Sequence, residues 1–405
     1  MANILAAIII GLYLTNVMVG IGRFFGLTPS IVSLTSKILI LGTIARCAAI
    51  FIYRINFAMT LTTYIFLLMT VIQQVFFPEN RQYLLGSGDF LNSTFFVFLL
   101  TVLPAVYTIS VIQDFDILLK RLQDTGILIS VCTLLILLAF GGEAFEKYCM
   151  GFAGAMILPT CTTITRAADD KQPCLLRRGA AMLAVVDVFT VAMFGSRGGF
   201  IAIVAFMLYY LLWEQIRQRK IVVILESVGI LCLAGNYKKV LKTANDLALN
   251  MGFYSRKLMS LSSEKVDDSG RGSLYDVIKR DILEHPLQIR GINSDYEAVG
   301  WYCHNWFLEV LHAFGLLVGG LFCIVIIYLI CQILWRGRKN ARSIIQICLT
   351  FAFFPVCLVS GSIWLSTWFW TWLALCFLPE YDQKKTDFND NGKGFHEKNT
   401  HQFCG

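Results

Sequence analysis

Three residues carry a charge or a titratable ring at places where the surrounding sequence makes them costly or conspicuous. Arg197 stands in VAMFGSRGGFIAIVAFMLYYLLW, residues 191–213, which is otherwise apolar almost throughout. A cation in such a run is expensive unless it holds something, so an arginine at membrane level is a functional hypothesis by default. Arg271, in SGRGSLYDVIKRDILEHPLQIRG, stands just ahead of a predicted short helix over 274–284. A helix N-terminus offers unpaired backbone N–H groups and the positive end of a dipole, so an arginine beside it makes the spot anion-selective. A solvated loop presents the same residue. His304, in YCHNWFLEVLHAFGLLVGGLF, sits with Asn305 where a loop becomes a helix. A histidine there can shuttle a proton near neutral pH; equally, His304 and Asn305 can cap the helix or bond loop carbonyls. Planar guanidinium groups that donate paired hydrogen bonds and stay charged suit phosphate or pyrophosphate. No carboxylate-rich cluster with metal spacing accompanies them, so no metal site and no cofactor is expected, and arginines would balance the charge of a phosphorylated ligand.

The elements that must position these residues follow from composition. Of 405 residues, 57% are hydrophobic and 15% charged, and the mean hydropathy is +0.65. A soluble chain runs nearer to about 45–50% apolar and about 25% charged. The expected fold is therefore all-α and polytopic, and a soluble helical protein with a very large core is set aside. A span takes about 20 mostly apolar residues. Twelve such segments are predicted near 3–21, 31–53, 58–77, 91–112, 126–143, 148–165, 179–195, 198–213, 221–235, 305–334, 342–360 and 362–379. The opening MANILAAIIIGLYLTNVMVG has no positive n-region and no convincing cleavage site, so it reads as a retained span and not a signal peptide.

Lysine and arginine in the short loops set the orientation. One set of loops holds Arg54, Lys120, Arg121, Arg166, Lys171, Arg177, Arg178, Arg217, Arg219, Lys220, Arg336, Arg338, Lys339 and Arg342; the alternate set holds only Arg23, Arg81, Lys147 and Arg197. That asymmetry puts both termini in the cytoplasm. The expected organisation is nine spans over 1–235, a large extracytoplasmic (periplasmic) loop with short helices over 236–304, three spans over 305–379, and a polar, disordered cytoplasmic tail over 380–405. Arg197 then falls in the tight outer connection between spans seven and eight. The net charge of +7 comes largely from cytoplasmic loops, so it calls for orientation and not for nucleic acid.

The outer loop is too long to be a passive connector. Ser273 followed by Asp276 resembles a capping box, Leu274, Val277, Ile278 and Ile282 share one helical face, and His285-Pro286 ends the run. Among thirteen cysteines, Cys303 is the clearest external one, with no paired spacing that would suggest a disulfide framework. Gly315 and Gly319 suit close helix packing. Trp364, Trp368 and Trp372 recur every four residues, with Trp370 on another side. Such a stripe usually belongs to the interfacial aromatic belt, and sugar stacking or lipid-chain contact is the functional alternative.

An SRG opening a span, a long outer loop with an arginine ahead of a short helix and a following HPL, then HN with an apolar helix and a glycine-rich span: this order resembles the O-antigen ligase and polymerase superfamily. Those are multi-span enzymes of bacterial envelopes that transfer glycans from an undecaprenyl-pyrophosphate carrier. The match is specific over about 190–325, and elsewhere it rests on span count and size. By position, Arg197 in GSRGG matches the arginine of the first motif, Arg271 in SGRGS that of the large loop, and His304 in CHNWFLE the loop-end histidine. Ser196, Gly198 and Asn305 flank these as candidate substrate contacts. After Pro286 the chain departs from the glycine-rich turn of many relatives and reads LQIRGINSD, which makes Arg290 a possible extra anion contact; Arg280 is either a weaker one or a surface helix residue.

The resemblance implies an inverting, metal-independent transfer. An acceptor hydroxyl attacks C1 of a glycan on lipid pyrophosphate, Arg197 and Arg271 stabilise the departing pyrophosphate, and His304 orients or deprotonates the hydroxyl. It also implies a bacterial inner-membrane enzyme with its site facing outward, an undecaprenyl-pyrophosphate-linked oligosaccharide as substrate, and a chain-length regulator and a flippase as possible partners. Shared motifs do not separate a polymerase of O-antigen, capsule or exopolysaccharide repeats from a ligase acting on a lipid A core; the polymerase is favoured because each polysaccharide type needs its own. A transporter or flippase is the rival class. Against it, no repeat relates the halves, and interior acids are sparse, with Asp187 and Glu226 the main ones, each expected to pair with neighbouring helices.

Overall fold

The structure, a computed structural model, describes residues 10–11, 68, 70–80, 82–83, 94–112, 114–140, 150–194, 197–217, 237–250, 252, 259, 271–359 and 361–378. Among these the regular structure is helical throughout. Four helices are long and apolar enough to cross a membrane by length and composition, namely Thr94–Val111, Phe115–Ala139, Trp306–Arg336 and Ala341–Val359. The spans expected at 3–21, 31–53, 221–235 and most of 58–77, the tail 380–405 and Glu226 lie outside the described residues.

The first described span, α1 (Thr94–Val111), contains a π turn over Phe98–Val102. Pro104 follows two residues later and has no N–H to give the preceding turn, so a wider turn absorbs the lost bond. Next comes α2 (Phe115–Phe140). It begins eleven residues before the span expected from 126, which places Lys120 and Arg121 in its first turns and not in a loop. Then follow α3 (Met150–Ala155), α4 (Ile157–Ala167), α5 (Cys174–Phe194) and α6 (Arg197–Arg217).

α2, α4 and α5 meet along a polar seam. At Gly126 an added Cβ would come within 2.4 Å of Thr162 Oγ1 and 2.9 Å of the Pro159 carbonyl, so glycine permits the close approach. Ser130 of α2 donates to Asp187 of α5 at 2.5 Å, and Gln123 donates to Thr165 at 3.1 Å. Hydrogen bonds of this kind hold helices together where apolar contact alone gives no preference over lipid. Asp187 thus pairs with a neighbouring helix, as its type and place predict.

Between α6 and α10 the described residues include α7 (Tyr237–Asn250), α8 (Arg271–Glu284) and α9 (Ser294–Val299). α8 starts at Arg271, three residues earlier than expected, so Ser273 lies in its first turn and is not its cap. Its buried face is narrower than expected. Ile278 and Ile282 are buried and pack with Cys303, Val299, Leu308 and Leu311, while Val277 is exposed.

The largest departure from the sequence reading is in α10 (Trp306–Arg336), expected as one span over 305–334. Gly315 has φ 71° and ψ 172°, which breaks the helix into an arm, 306–314, and a span, 316–336. The break leaves the Ala313 carbonyl to accept from the amides of Arg290 and Gly291, both at 2.9 Å, and the Leu316 amide to donate to Pro286 O at 2.7 Å. Gly319 then folds back against the arm, since a Cβ there would lie 2.7 Å from the Val310 carbonyl. The glycine pair is therefore a hinge and its packing partner within one helix. The 21 residues from Leu316 to Arg336 rise about 30 Å at 1.5 Å each, the thickness of a hydrocarbon core.

α11 (Ala341–Val359) and α12 (Thr367–Phe377) complete the order. α11 packs on α2, α4, α6, α10 and α12, and so lies at the centre of the bundle. The tryptophans do not form a stripe on one helix, because Trp364 precedes α12. Trp372 is fully buried against Phe353 and Phe369 and Trp364 is nearly so. These two are core residues and not an interfacial belt.

Candidate functional site

Arg271 opens α8 and donates from Nη1 to the carbonyl of Val359, the last residue of α11. One helix turn on, the Tyr275 hydroxyl donates to the His304 carbonyl at 3.4 Å. The Tyr302 ring lies against the His304 ring, with centroids 4.2 Å apart. Arg271 acts electrostatically on both phenols: burial pushes the Tyr275 and Tyr302 hydroxyls above their ordinary pKa, and the guanidinium pulls each back. The structure thus brings together Arg271 and His304, residues 33 apart in sequence, with two tyrosines that sequence reasoning passed over. All four are half-buried, so each keeps a face toward solvent.

His304 has a positive φ, 58°. A non-glycine residue in the left-handed region is uncommon and tends to persist where the surroundings over-determine it. Here the surroundings are evident. Asn305 caps the arm of α10, its Oδ1 accepting from the amides of Phe307 at 3.1 Å and Leu308 at 3.2 Å. On the other side the Cys303 amide donates to Asp295 Oδ2 at 2.8 Å and its thiol to the Asn305 carbonyl at 3.1 Å. Cys303 is fully buried, and burial raises its pKa. Of the two roles open to Asn305, capping is the one its side chain performs here.

Beneath this cluster lie two buried carboxylates, Asp295 of α9 and Glu309 of the arm, which interact electrostatically. Glu309 accepts from the Ser362 hydroxyl and from the Ile363 amide, the latter at 3.0 Å, and so ties the arm to the connection between α11 and α12. Burial pushes Asp295 up to about 6, against the pull of amide hydrogen bonds from Cys303, Tyr296 and its own backbone. Sequence reasoning missed both. The available signal for Glu309 was its place four residues after Asn305, inside an apolar run where a carboxylate needs a partner.

Arg290, expected as an extra anion contact, is held by Asp281. Its Nη2 pairs with Asp281 Oδ1 at 2.9 Å and the group is mostly buried. Asp281 also meets His312 Nε2 at 2.7 Å, while His312 Nδ1 meets the Ser294 hydroxyl at 2.8 Å. The turn in question after Pro286 is held by α10 and by the chain's first third: Asn80 donates to the Arg290 carbonyl at 2.7 Å, Gln73 to the Ile292 carbonyl at 2.7 Å, and Asn293 to Thr94 Oγ1 at 3.0 Å. Gly291, at φ 84°, is required there, since a Cβ would come within 2.7 Å of Gln73 Oε1 and 2.8 Å of the Phe77 ring. Arg280 is exposed on α8, outside the cluster.

Arg197 is the first residue of α6, Gly198 behind it is buried, and Ser196 lies outside the described residues. α6 packs on α11, with Phe206 and Tyr209 against Phe351 and the Tyr209 hydroxyl donating to Leu334 O at 3.0 Å. The two helices therefore run antiparallel, and α6 begins at the end of the bundle where Val359 meets Arg271. Beside the cluster, Tyr83, Tyr296, Trp301 and Tyr302 form a chain of rings with centroids between 5.5 and 6.5 Å apart, and Trp301 is 56% exposed. A fixed guanidinium, a half-exposed imidazole, two phenols and an aromatic face can together bind an anion, move one proton and stack a flat apolar surface such as a sugar ring. Comparison with protein-family models, with curated proteins and with solved structures finds no match to this chain.

Proposed function

We propose that the protein is a membrane glycosyltransferase that moves a glycan from an undecaprenyl-pyrophosphate donor to a lipid-linked acceptor repeat, and so polymerises a surface polysaccharide. The observation that carries this reading is that Arg271 and His304, 33 residues apart, share the neighbours Tyr275 and Tyr302 at the bundle end where α6 also begins with Arg197. The donor's C1–O bond to pyrophosphate breaks as the acceptor oxygen bonds to C1 from the opposite face. The lipid pyrophosphate leaves with the electron pair, and Arg271 and Arg197 receive its charge. His304 takes the proton of the attacking hydroxyl. Trp301 and Tyr302 offer faces on which an acceptor sugar can stack.

The test is a reconstituted reaction with purified protein, a lipid-pyrophosphate oligosaccharide repeat and no other acceptor, resolved on a gel. A ladder of lengthening products is expected. Arg271→Ala should reduce the rate by about 10²–10³-fold, as removal of a charge-stabilising donor does, with an unchanged unfolding temperature as the folding control. A ladder undiminished in Arg271→Ala removes that residue from the mechanism. No ladder from folded protein that binds the donor turns the reading to a ligase, with its acceptor as the missing reagent.

A further inference from the structure

The seam between α2, α4 and α5 contains a buried acid that the transfer reaction does not use. Asp187, Ser130, Thr160 and Thr163 are each 0% exposed. Ser130 Oγ stands 2.5 Å from Asp187 Oδ2, 2.9 Å from Gly126 O and 3.3 Å from Thr163 Oγ1. A hydroxyl owns one proton and two lone pairs, and a carbonyl only accepts. If Ser130 gives its proton to an ionised Asp187, its contact with Gly126 O is left with no hydrogen in it. The Thr160 hydroxyl lies beside the same carboxyl, but its proton goes to Met156 O at 2.7 Å, so it faces the carboxyl with lone pairs. Asp187 Oδ1 has no hydrogen-bond partner. One more proton resolves the conflict. With Oδ2 protonated, Asp187 donates to Ser130, Ser130 donates to Gly126 O, and Thr163 is the second donor to Ser130.

No described side chain supplies a cation in that proton's place. Of the helices packed on α5, α3 has no titratable side chain. On α2, Asp116, Lys120, Arg121 and Asp124 precede Ser130 by six residues or more, and Cys132 is exposed. On α4, Arg166 turns to Gln123 at 3.3 Å and Asp124 at 3.8 Å, and Cys161, two positions from Thr163, falls off that face. On α6, the Tyr209 hydroxyl meets Leu334 O and the Tyr210 ring meets Arg338. Within α5 itself, Cys174 and Arg178 are exposed, and Arg177 pairs with Asp170 at 2.9 Å. An ionised carboxylate buried with one hydrogen bond and no counter-ion is costly, and such a group neutralises instead.

We propose that Asp187 binds a proton that this seam is built to hold, and that release of the proton loosens α5 from α2 and α4. The inference rests on the packing of these helices and not on the transfer reaction. Infrared spectroscopy of the full chain in liposomes tests it, because an un-ionised acid has a carbonyl stretch that a carboxylate lacks. With a bare Oδ1, Asp187 should absorb at the high-frequency edge of the acid range at neutral pH. Asp295 and Glu309 accept hydrogen bonds on their carboxyls, so any acid band of theirs lies lower and survives in Asp187→Asn. The Asp187 band should be absent from Asp187→Asn and shifted in Ser130→Ala, which removes the acceptor of the acid proton. Raising the pH should bleach it. Amides around Asp187 should then exchange faster in the wild type than in Asp187→Asn, by a ratio that grows about tenfold per pH unit. A wild-type spectrum equal to that of Asp187→Asn in this region overturns the proposal, and so does an exchange ratio that stays constant with pH. A band that sodium chloride removes and potassium chloride leaves also overturns it, and would assign the site to a sodium ion. No glycan enters the assay, so its outcome is separate from that of the gel ladder.

Discussion

Replacing Gly315 with alanine tests the break in α10 by the sign of its effect. At φ 71° and ψ 172° the backbone occupies a region essentially reserved for glycine, and other residues there cost about 1–3 kcal/mol. The alanine Cβ would also stand 3.1 Å from the Pro286 carbonyl oxygen, the Leu287 carbonyl carbon and the Gln288 carbonyl oxygen. These are backbone atoms of one strap, 286–291, which is bonded to the break through the Leu316, Arg290 and Gly291 amides. For the strap to retreat, one or two of those bonds must lengthen, at about 1 kcal/mol each. Gly315→Ala should therefore destabilise the fold by about 3–4 kcal/mol. Thermal unfolding of the purified protein measures this, and hydrogen exchange should show lost protection at the amides of Arg290, Gly291 and Leu316. If 306–336 were one continuous helix, the same change would remove glycine from a helix interior and stabilise it by roughly 0.5–1 kcal/mol. A raised unfolding temperature with unchanged exchange at those amides would refute the broken helix and the arm that depends on it.

Two further predictions concern the packing of α8, α9 and the arm. Asp295 has its pKa raised from the ordinary 3.8 to about 6 by burial, so the folded state holds this proton more tightly than the unfolded one. The stability it contributes is complete below about pH 4 and falls as pH rises to about 6, a loss on the order of 3 kcal/mol by pH 7. Asp295→Asn, which keeps an acceptor for the Cys303 amide, should raise the unfolding temperature at pH 7 and flatten its dependence between pH 4 and 7; an unaltered pH profile would sink this account. Asp281 holds both His312 and Arg290, and Asp281→Asn should destabilise by about 2 kcal/mol, since it leaves a mostly buried guanidinium with a neutral partner. In a double-mutant cycle with His312→Gln the two losses should fall short of additive by about 1 kcal/mol, and strict additivity would mean that the pair does not interact.

What could be read from the sequence was what depends on local composition. Apolar length gave the spans of α1, α11 and most of α2, and the turn at His285-Pro286 ended α8 because the residue before a proline resists the helical conformation. Asn305 was recognisable as a cap because its short side chain can accept from amides two and three residues on. The remainder depends on contacts between distant segments. Val277 and Ile278 are alike in periodicity, and only the position of Cys303 and Leu308 decides that Ile278 is the buried one. Gly315 looks like a packing glycine until the strap at 286–291 supplies partners for the carbonyl and amide that a break exposes. Arg290 follows a departure from a motif, and its ion pair with Asp281, nine residues earlier, depends on how the strap folds back on α8.

The break also changes what the titratable residues of α10 mean. In a continuous span, Glu309 and His312 would be a carboxylate and an imidazole inside the membrane, where ionisable groups are functional hypotheses by default. In the arm they face α8, α9 and the connection after α11, and each finds its partners there: Ser362 and Ile363 for Glu309, Ser294 and Asp281 for His312. Both are almost wholly buried, so neither can reach a substrate, and their work is to fix the arm against the loop. For the proposed transfer, that leaves the half-buried layer above them. Asp295 holds the Cys303 amide, Cys303 and Asn305 leave His304 in its left-handed conformation between them, and Tyr302 lies against its ring. The carboxylates build the platform, and Arg271, Tyr275, Tyr302 and His304 are what it presents. A substitution that removes the Glu309 acceptor should therefore lower stability and activity together, whereas one in the second group should lower activity at nearly constant stability.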